Sequence, residues 1–394
     1  MNLTHFALPR VRTLLRTGLF AFILAGCGGG VDSGGTGGAA TYASGPITGS
    51  GSIIVNGVRF DDSAATVTDD NGRRTKSDLK LGMIVEVRGS AIDNSSGAPA
   101  STASSITFNS EMVGKIDSLP VGAQSLVVFG QTVNIKTTTV FDDSLSNGIR
   151  SLAPTNVVEV YGLLDAITGQ YTATRIELKS GATTEYRLRG KVSNLDGVAK
   201  EFNIGTERIS YLSLSPADVP AGFANGMIIR IRVNSARTSN VWAATRLRDG
   251  ASRPDEQSHA RVEGLISSFN LITQFSVAGV PVTTSVTTTF PDGQLFGLGD
   301  RVEVEGTMMN GSLAASKVEI ETDSGSLDFD FRGPIEAVAT QAITVRGTSI
   351  SVPSGVEFRP NTKSVIDLVL GANVEVKATL VNGNQYQATR IEFK

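Results

Sequence analysis

The sequence predicts an all-β protein made of small, closed β-barrels in tandem. Two observations predict this fold class: a composition rich in turns and a set of short motifs that recurs along the chain. The 394 residues include 43 glycines, whereas charged residues make up 19% and aromatic residues 6%. Glycines between Val- and Thr-rich stretches are typical of short strands joined by tight turns.

The first 26 residues are predicted to be an export signal. Arg10, Arg12 and Arg16 supply a basic start, and residues 17–25 supply an apolar core that is too short to span a bilayer permanently. The core ends in Leu24-Ala25-Gly26-Cys27. This stretch resembles the bacterial lipobox, in which the thiol is acylated and the chain is cut just before it. The resemblance predicts lipidation of Cys27, with several acyl chains giving a stable anchor.

The residues after the cysteine predict the membrane in which the protein is anchored and a tether between the anchor and the folded part. In lipoproteins of the kind that the lipobox resemblance implies, an Asp after the cysteine commonly causes retention at the inner membrane. Position 28 is Gly, so the outer membrane is the expected location, on either of its sides. Residues 27–44 are rich in Gly and Ser and are predicted to form a flexible tether. A plain secretory signal with an incidental cysteine is the alternative.

Five copies of one unit follow the tether. A strand motif recurs as GMIVEVRG, TNVVEVYG, GMIIRIRV, GDRVEVEG and GANVEVKA. A second motif follows each copy, and it begins at Ala103, Ala173, Ala244, Ala315 and Ala388. A third motif precedes both and carries a landmark glycine, at Gly57, Gly130, Gly205, Gly279 and Gly347. The spacing indicates a repeat of about 70 residues.

Each repeat is expected to hold five short strands. The first carries an opening glycine, the second the landmark glycine, the third a Thr- and Phe-containing stretch, and the last two form a hairpin. Alternation such as Val302-Glu303-Val304-Glu305 predicts strands with one wet face. Five strands suit an OB-like barrel, with a sandwich of paired repeats as the alternative. The expected repeats are 45–109, 110–180, 184–250, 259–322 and 328–394, and residues 250–258 are the expected linker.

The repeat resembles a known bacterial family at this point. The pattern G-x-I, V-N-G, L-x-x-G-x-x-V-E-V-x-G and A-T-x-I is similar to that of domain of unknown function 5666, and the run GSGSIIVNGVRF at residues 49–60 is especially similar. The resemblance covers residues 45–394 and implies an envelope lipoprotein with several copies of the domain. It implies no activity and no site residue.

Charges on the last two strands follow a rule that one repeat breaks. Four repeats place Glu on the fourth strand, at Glu86, Glu159, Glu303 and Glu375, and a basic residue recurs on the fifth, at Arg175, Arg246, Lys317 and Arg390. Cross-strand Glu–Arg pairs are therefore expected. Repeat three instead has Arg230 and Arg232 on the fourth strand and Arg246 and Arg248 on the fifth, and Arg187, Arg189 and Trp242 belong to the same unit.

Two interpretations of this arginine cluster remain open. Repeat three could dock on acidic repeat four, with Arg230 and Arg232 against Glu303 or Glu305. Alternatively, Arg230, Arg232, Arg246 and Arg248 could bind an anion, with Trp242 stacking on a sugar. The expected partners are the membrane, through the N-terminal lipid, and an envelope protein or an acidic glycan. Nucleic acid is not expected, because the net charge is −3 and aromatic residues are few.

The sequence offers little for catalysis or metal binding. His259 is the one histidine outside the signal segment, and it is predicted to be a solvated linker residue. The acidic pairs, at Asp61-Asp62, Asp69-Asp70, Asp142-Asp143 and Asp328/Asp330, lack the calcium-loop spacing and are interpreted as turn residues, with calcium binding as the alternative. No enzyme activity, metal site or cofactor is predicted. The expected function is non-catalytic binding or scaffolding; a carbohydrate-active or calcium-dependent glycan-binding module is the alternative.

Overall fold

Each of the five repeats closes into a barrel by the same circuit of strands. The computed structural model describes residues 39–95, 97–120, 122, 124–290, 295–321, 328–381 and 383–394. In every repeat, the first strand pairs with the fourth strand along its beginning and with the second strand along its end. The third strand runs parallel to the fifth, which completes the circuit first–second–third–fifth–fourth–first. The predicted all-β fold of tandem five-stranded, OB-like barrels is confirmed.

Repeats one and two contain the following elements. Repeat one comprises β1 (Thr41–Pro46), β2 (Gly49–Ser50), β3 (Ile53–Val55), β4 (Val58–Asp61), β5 (Thr66–Asp69), β6 (Gly72–Arg74), the 3-10 helix η1 (Lys76–Asp78), β7 (Ile84–Gly89) and β8 (Ala100–Phe108). Repeat two comprises β9 (Met112–Ser118), β10 (Ser125–Val128), β11 (Gln131–Asn134), β12 (Val140–Phe141), η2 (Gly148–Ser151), β13 (Val157–Leu164) and β14 (Tyr171–Leu178).

The last three repeats follow the same order. Repeat three comprises β15 (Glu185–Asp196), β16 (Glu201–Ile204), β17 (Glu207–Ser210), η3 (Pro216–Asp218), β18 (Ile228–Asn234) and β19 (Trp242–Asp249). Repeat four comprises β20 (His259–Leu271), β21 (Gln274–Val277), β22 (Val280–Thr283), β23 (Arg301–Met309) and β24 (Ser312–Ile320). Repeat five comprises β25 (Asp328–Ala339), β26 (Ala342–Val345), β27 (Thr348–Ser351), β28 (Glu357–Arg359), η4 (Val365–Asp367), β29 (Asn373–Val381) and β30 (Gln385–Phe393).

The landmark glycines lie in the turns between the second and third strands, not within the second strand as expected. In repeat one, Asn56 and Gly57 have φ angles of 50° and 69°, the left-handed pair of a tight hairpin turn. The opening glycine of the first strand lies beneath the corresponding turn. In repeat four, for example, a Cβ on the opening glycine Gly264 would lie 2.8 Å from the Cβ of the turn residue Ala278. The two glycines therefore let the second–third hairpin pass close over the first strand and close the barrel.

Apolar side chains fill the barrels, and polar side chains alternate with them outward. Val302 and Val304 are fully buried, whereas Glu303 and Glu305 lie on the outer face of β23, as the alternation predicted. The buried residues form three clusters: one spans repeats one and five and includes Val140 and Tyr161 of repeat two, one spans repeats two and three, and one fills repeat four and includes Tyr42 of repeat one. Each core thus contains residues of more than one repeat.

Strand β1 joins three repeats and corrects the predicted tether. It pairs antiparallel with β7 in its own barrel and parallel with β20 of repeat four, and its continuation β2 pairs parallel with β25 of repeat five. Tyr42 and Ala43 are completely buried. The flexible tether predicted for residues 27–44 is therefore wrong from Thr41 onward, where the chain is a central strand. Residues 1–38, which include Cys27, lie outside the described residues.

Repeats two and three form a second group. Their first strands pair antiparallel, with Val113 opposite Arg187 and Met112 opposite Leu188. The segment of residues 250–258 leads from this group to repeat four without forming a strand. His259 is not a solvated linker residue, however, because it begins β20 and its Nε2 lies 3.2 Å from Glu305 Oε1.

Candidate functional site

One position on the wet face can be compared across all five barrels. It is a row of three residues that lie side by side on the first, fourth and fifth strands. In repeat three this row is Arg189–Arg230–Arg248, and in repeat four it is Glu263–Glu303–Glu319. The corresponding rows elsewhere are Ser44–Glu86–Thr107, Val113–Glu159–Glu177 and Arg332–Glu375–Glu392.

The rows overturn the expected Glu–Arg pairs. Glu159 lies opposite Glu177, whereas Arg175 lies opposite Tyr161, two residues further along the fourth strand. A β-bulge next to the closing glycine of the hairpin causes this difference, because the fifth strand contributes one extra residue there. The glutamates find other partners: Lys179 Nζ lies 2.7 Å from Glu159 Oε2, and Arg261 Nη1 lies 3.5 Å from Glu303 Oε1.

Repeat three carries a second row of arginines beside the first. Arg187, Arg232 and Arg246 lie next to one another on β15, β18 and β19. We call the six residues of the two rows the arginine face: Arg187, Arg189, Arg230, Arg232, Arg246 and Arg248. Six adjacent guanidinium groups repel one another unless acceptors or carboxylates lie between them.

Most acceptors for the arginine face come from repeats one and two, although Arg232 Nη1 also lies 3.4 Å from Glu185 Oε2 of repeat three itself. Arg232 Nη2 donates to Asp70 O at 2.7 Å and to Asn71 Oδ1 at 2.8 Å, in the turn between β5 and β6. Arg230 Nη1 donates to Ser110 O at 2.7 Å. The expected docking of these arginines on Glu303 or Glu305 of repeat four is wrong, because the β5–β6 turn of repeat one occupies their face and Arg261 holds both glutamates.

A buried ion pair neutralises part of the arginine face. Arg189 Nη1 lies 3.0 Å from Glu111 Oε2, and Arg230 Nη2 lies 4.0 Å from Glu111 Oε1. Burial opposes the charge of Arg189, but the Glu111 carboxylate outweighs it and raises the pKa of Arg189. Burial lowers the pKa of Arg230, in spite of Glu111, and neighbouring Arg189 lowers it further. Glu111 is absent from the site predicted from the sequence, although a charged residue directly before an apolar first strand could have indicated a buried ion pair.

An open groove remains at the edge of the arginine face. It has a volume of about 480 Å³ and is lined by Arg232, Arg246, Arg248 and residues 69–72. Arg248 is exposed, whereas Arg246 is half-buried and donates to Asp70 O at 3.5 Å. The groove thus presents guanidinium groups to solvent.

Trp242 does not belong to this surface. Its side chain is 7% exposed and packs edge-on against Phe129, with ring centroids 4.7 Å apart, and its Nε1 donates to Glu207 Oε2 at 2.5 Å. The expected stacking of Trp242 on a sugar is therefore wrong, because the β-bulge on β19 turns this residue into the core while the arginines point outward.

Three of the four acidic pairs place a carboxylate in a turn, which was the preferred interpretation. Asp328 and Asp330 do not, because they lie on β25, where Asp330 pairs with Arg59 of repeat one. Asp69 accepts hydrogen bonds from the Asn71 backbone N–H at 2.7 Å and from Arg74 Nη2 at 2.8 Å. Burial opposes ionisation of Asp69, yet these hydrogen bonds outweigh it and hold its pKa below the usual value. Asp142 likewise accepts from the Ser144 backbone N–H at 2.7 Å. Among the described residues, no group of three or more His, Cys, Asp or Glu side chains is placed to hold a metal ion.

A second concave site, which we call the junction pocket, lies where repeats one to four meet. Its volume is about 310 Å³. Charged residues from all four of these repeats line it: Glu86, Glu111, Arg189, Lys191, Arg230 and Glu263. The sequence did not predict this pocket, because it exists only through the contact of repeats that are far apart in the chain. Pockets at domain junctions of this size are common ligand sites.

These features define a class: a tandem β-barrel protein whose barrels are joined by shared strands and buried ion pairs. The chain belongs to the family described as domain of unknown function (DUF5666), whose pattern matches residues 44–97, 113–177, 263–319 and 332–392. The matches fall on repeats one, two, four and five, so repeat three, with its arginine face, lies outside them.

Other comparisons add little. A comparison with curated proteins gives no match. The chain is similar to a solved structure described as "drosophila Unr CSD456", at 13% identity, over 55% of this chain and 98% of that chain, with a TM-score of 0.13. A TM-score of this size does not establish a shared fold. Within the described part of the chain, no helix has the length and apolar character needed to cross a membrane.

Proposed function

We propose that this protein is a lipid-anchored, non-catalytic envelope protein that binds an acidic polysaccharide through the groove of its arginine face. The observation that carries the proposal is the excess of guanidinium groups at that place. Three guanidinium groups, those of Arg232, Arg246 and Arg248, line the groove with two carboxylates, those of Asp69 and Asp70, and the hairpin offers Arg246 a backbone carbonyl rather than a carboxylate. Guanidinium groups in a row suit the carboxylates of a linear acidic glycan.

The proposed anchor is the acylated thiol of Cys27, and the proposed location is the outer membrane. The support is the sequence Leu24-Ala25-Gly26-Cys27 after a basic and apolar start. The first described strand begins at Thr41, so 13 residues lie between Cys27 and that strand. A body held this close to the membrane surface is well placed to contact polymers of the envelope.

A non-catalytic role fits the state of the carboxylates. Glu111 is paired with Arg189, Asp69 with Arg74, and Glu263 with Arg301. These contacts join strands or repeats to one another, as expected in a scaffold protein. Charge pairs of this kind contribute to stability and to the fixed orientation of the barrels.

Retention on a charged matrix tests the proposed glycan binding. The full-length protein, purified in detergent, is passed over immobilised polygalacturonate and over neutral dextran. We expect retention on polygalacturonate alone, with an affinity that falls as salt increases. The Arg246→Glu/Arg248→Glu variant should bind at least about tenfold more weakly, because it reverses two charges of the groove.

Repeat five supplies the matched control. Lys377 and Arg390 lie opposite each other on β29 and β30, as Arg232 and Arg246 do on β18 and β19. Lys377→Glu/Arg390→Glu changes the net charge by the same amount and should leave retention intact. Equal loss in both variants, or no retention of the unmodified protein, contradicts the proposal. Retention of an acidic envelope protein in place of the polysaccharide would reassign the groove to a protein partner.

The anchor is tested separately. Cys27→Ala should move the protein from the membrane fraction to the soluble fraction and abolish its labelling by radioactive palmitate. Labelling that persists in this variant contradicts acylation at Cys27 and leaves the glycan experiment unaffected.

A further inference from the structure

The junction pocket has one acidic wall and one basic wall. Repeat one supplies the first, through Glu86 on β7 with Thr107 and Asn109 at the end of β8. Repeat three supplies the second, through Arg189 and Lys191 on β15 and Arg230 on β18. Repeats two and four close the sides.

The acidic wall has acceptors that the protein leaves largely unused. The Glu86 carboxylate accepts a hydrogen bond from Ser252 Oγ at 2.8 Å, and no ion pair to it occurs among the described residues. Asn109 Oδ1 is buried and has no hydrogen-bond partner within the described part of the chain. A buried acceptor without a donor is costly, and a ligand that donates hydrogen bonds removes the cost. An ammonium group is such a donor.

The basic wall is only partly neutralised. Arg189 is committed to Glu111, but the carboxylates nearest to Arg230, those of Asp70 and Glu111, lie 3.9 Å and 4.0 Å away. Lys191 Nζ donates to a backbone carbonyl, Ala166 O, at 3.1 Å. Two cationic groups therefore face the pocket without a close carboxylate partner, and they favour an anionic group of a ligand.

The other charges of the pocket are already balanced. Glu263 accepts from Arg301 Nε at 2.7 Å, and Glu111 holds Arg189. The charges that remain are thus negative on the repeat-one wall and positive on the repeat-three wall. A ligand with a single charge satisfies one wall and faces the other without compensation.

We propose that the junction pocket binds a small zwitterion, with its ammonium group on Glu86 and Asn109 and its carboxylate on Arg230 and Lys191. The volume of about 310 Å³ lies at the small end of the range for ligand pockets and fits a dipeptide better than a polymer. This site is separate from the groove of the arginine face, which is lined by Arg232, Arg246 and Arg248.

The linker of residues 250–258 is the natural cover of this pocket. Ser252 lines the pocket and holds Glu86, and Arg88 Nε lies 2.6 Å from Asp255 Oδ2 and fastens the segment to repeat one. An incoming ammonium group would replace Ser252 Oγ on Glu86. Binding is therefore expected to change the linker while the barrels keep their positions.

Three derivatives of the same dipeptide, which differ in charge, test the proposal. Dialanine is a zwitterion, N-acetyl-dialanine is an anion, and dialanine amide is a cation. Each is titrated into the full-length protein in detergent by calorimetry, and the melting temperature is measured in parallel. We expect dialanine to bind at least about tenfold more tightly than either singly charged probe. Amide exchange at residues 250–258 should change with dialanine alone.

Two variants locate the binding. Glu86→Gln should reduce the affinity for dialanine to that for N-acetyl-dialanine, and Lys191→Gln should reduce it to that for the amide. Glu357→Gln, which alters an exposed carboxylate paired with Arg359, is the matched control and should bind as the unmodified protein does. A melting transition as cooperative as that of the unmodified protein serves as a check that each variant is folded.

Several results overturn the proposal. Equal affinity for dialanine and N-acetyl-dialanine would make the pocket a simple anion site. Binding that survives both Glu86→Gln and Lys191→Gln would place the ligand elsewhere. Failure of all three probes to bind at millimolar concentration contradicts a zwitterion site of this size.

Discussion

Repeats three and four have the same barrel and opposite charges on it. Both fill the barrel with Val and Ile on the fourth strand, at Ile229, Ile231, Val302 and Val304. On the wet face, the row of three residues is Arg–Arg–Arg in repeat three and Glu–Glu–Glu in repeat four. Repeat three is also the one outside the family matches. The barrel thus depends on its interior and its turns, while the wet face is free to specialise.

The two repeats neutralise their rows in different ways. Repeat four uses its own arginines, with Arg261 beside Glu303 and Arg301 beside Glu263. Repeat three uses its neighbours, with Glu111 from repeat two and the Asp70 carbonyl from repeat one. A repeat whose charges are completed from outside is committed to contact, so we expect changes in the row of repeat three to affect the assembly of the barrels.

Glu111→Ala should cause the largest loss of unfolding free energy. It leaves Arg189 buried without its carboxylate and removes one of the two carboxylates near Arg230, and breaking a buried pair in this way costs about 3–5 kcal/mol of unfolding free energy. Urea unfolding followed by fluorescence of Trp242, which packs in the same core, measures the loss. Glu201→Ala, which removes the partner of the exposed Arg208, is the control and should cost at most about 1 kcal/mol. Similar losses in both variants would contradict the structural role of Glu111.

Glu303 should make the acidic row sensitive to pH. Burial raises its pKa from 4.5 to about 8, and neighbouring Glu263 adds to the shift. Between these two pH values the folded protein keeps a proton on Glu303 that the unfolded chain has lost. The stabilising contribution is therefore complete below pH 4.5, falls as pH rises through 8, and amounts to roughly 2–4 kcal/mol.

The variant Glu303→Gln checks this prediction. Glutamine cannot ionise, so the fall in unfolding free energy between pH 5 and pH 9 should become shallower, and the variant should be more stable than the unmodified protein at pH 9. Glu319→Gln, at the exposed end of the same row, is the control and should keep the original slope. Identical slopes in the Glu303→Gln variant and the unmodified protein would show that Glu303 is ionised at neutral pH.

Arg232→Ala should have a moderate effect. It removes two hydrogen bonds from a charged donor to the β5–β6 turn of repeat one, at 2.7 Å and 2.8 Å. We expect a loss of about 1.5–3 kcal/mol and faster amide exchange at residues 69–72. Lys377→Ala, the same position in repeat five, is the matched control and should leave exchange at residues 69–72 unchanged. Unchanged exchange in the Arg232→Ala variant would mean that the turn holds its place without the arginine.

The local features of the fold could be predicted from the sequence. Alternation gave the wet and dry faces of β23, because this pattern is decided within a few residues. The landmark glycines were recognised as a repeated feature but were assigned to the second strand rather than to the turn that follows it. The register of the last hairpin could not be predicted. One extra residue in the fifth strand shifts every pair beyond it, and the sequence contains no distinct sign of this bulge.

Contacts between repeats were predictable only in part. Charge indicated that the arginine face needs an acidic or polar cover, but not that repeat one supplies it. Strand β1 was mistaken for tether because it follows a Gly-rich run and contains Ala43, Ser44 and Gly45. Gly45 is small for a structural reason, because a Cβ there would lie 2.2 Å from Asn56 Oδ1. Close packing and flexibility thus favour the same residue types.

Substitutions at the exposed ends of the two rows should have the smallest effects on stability. Arg248 is exposed beside Arg230, and Glu319 is exposed beside Glu303, so each is the outer member of a like-charged row. Arg248→Ala and Glu319→Ala should each change the unfolding free energy by less than about 0.5 kcal/mol, because solvent screens the lost repulsion. Guanidinium chloride unfolding of both variants measures this. A loss above about 1 kcal/mol for Arg248→Ala alone would mean that this arginine holds the barrels together, and it would favour docking over glycan binding as the purpose of the groove.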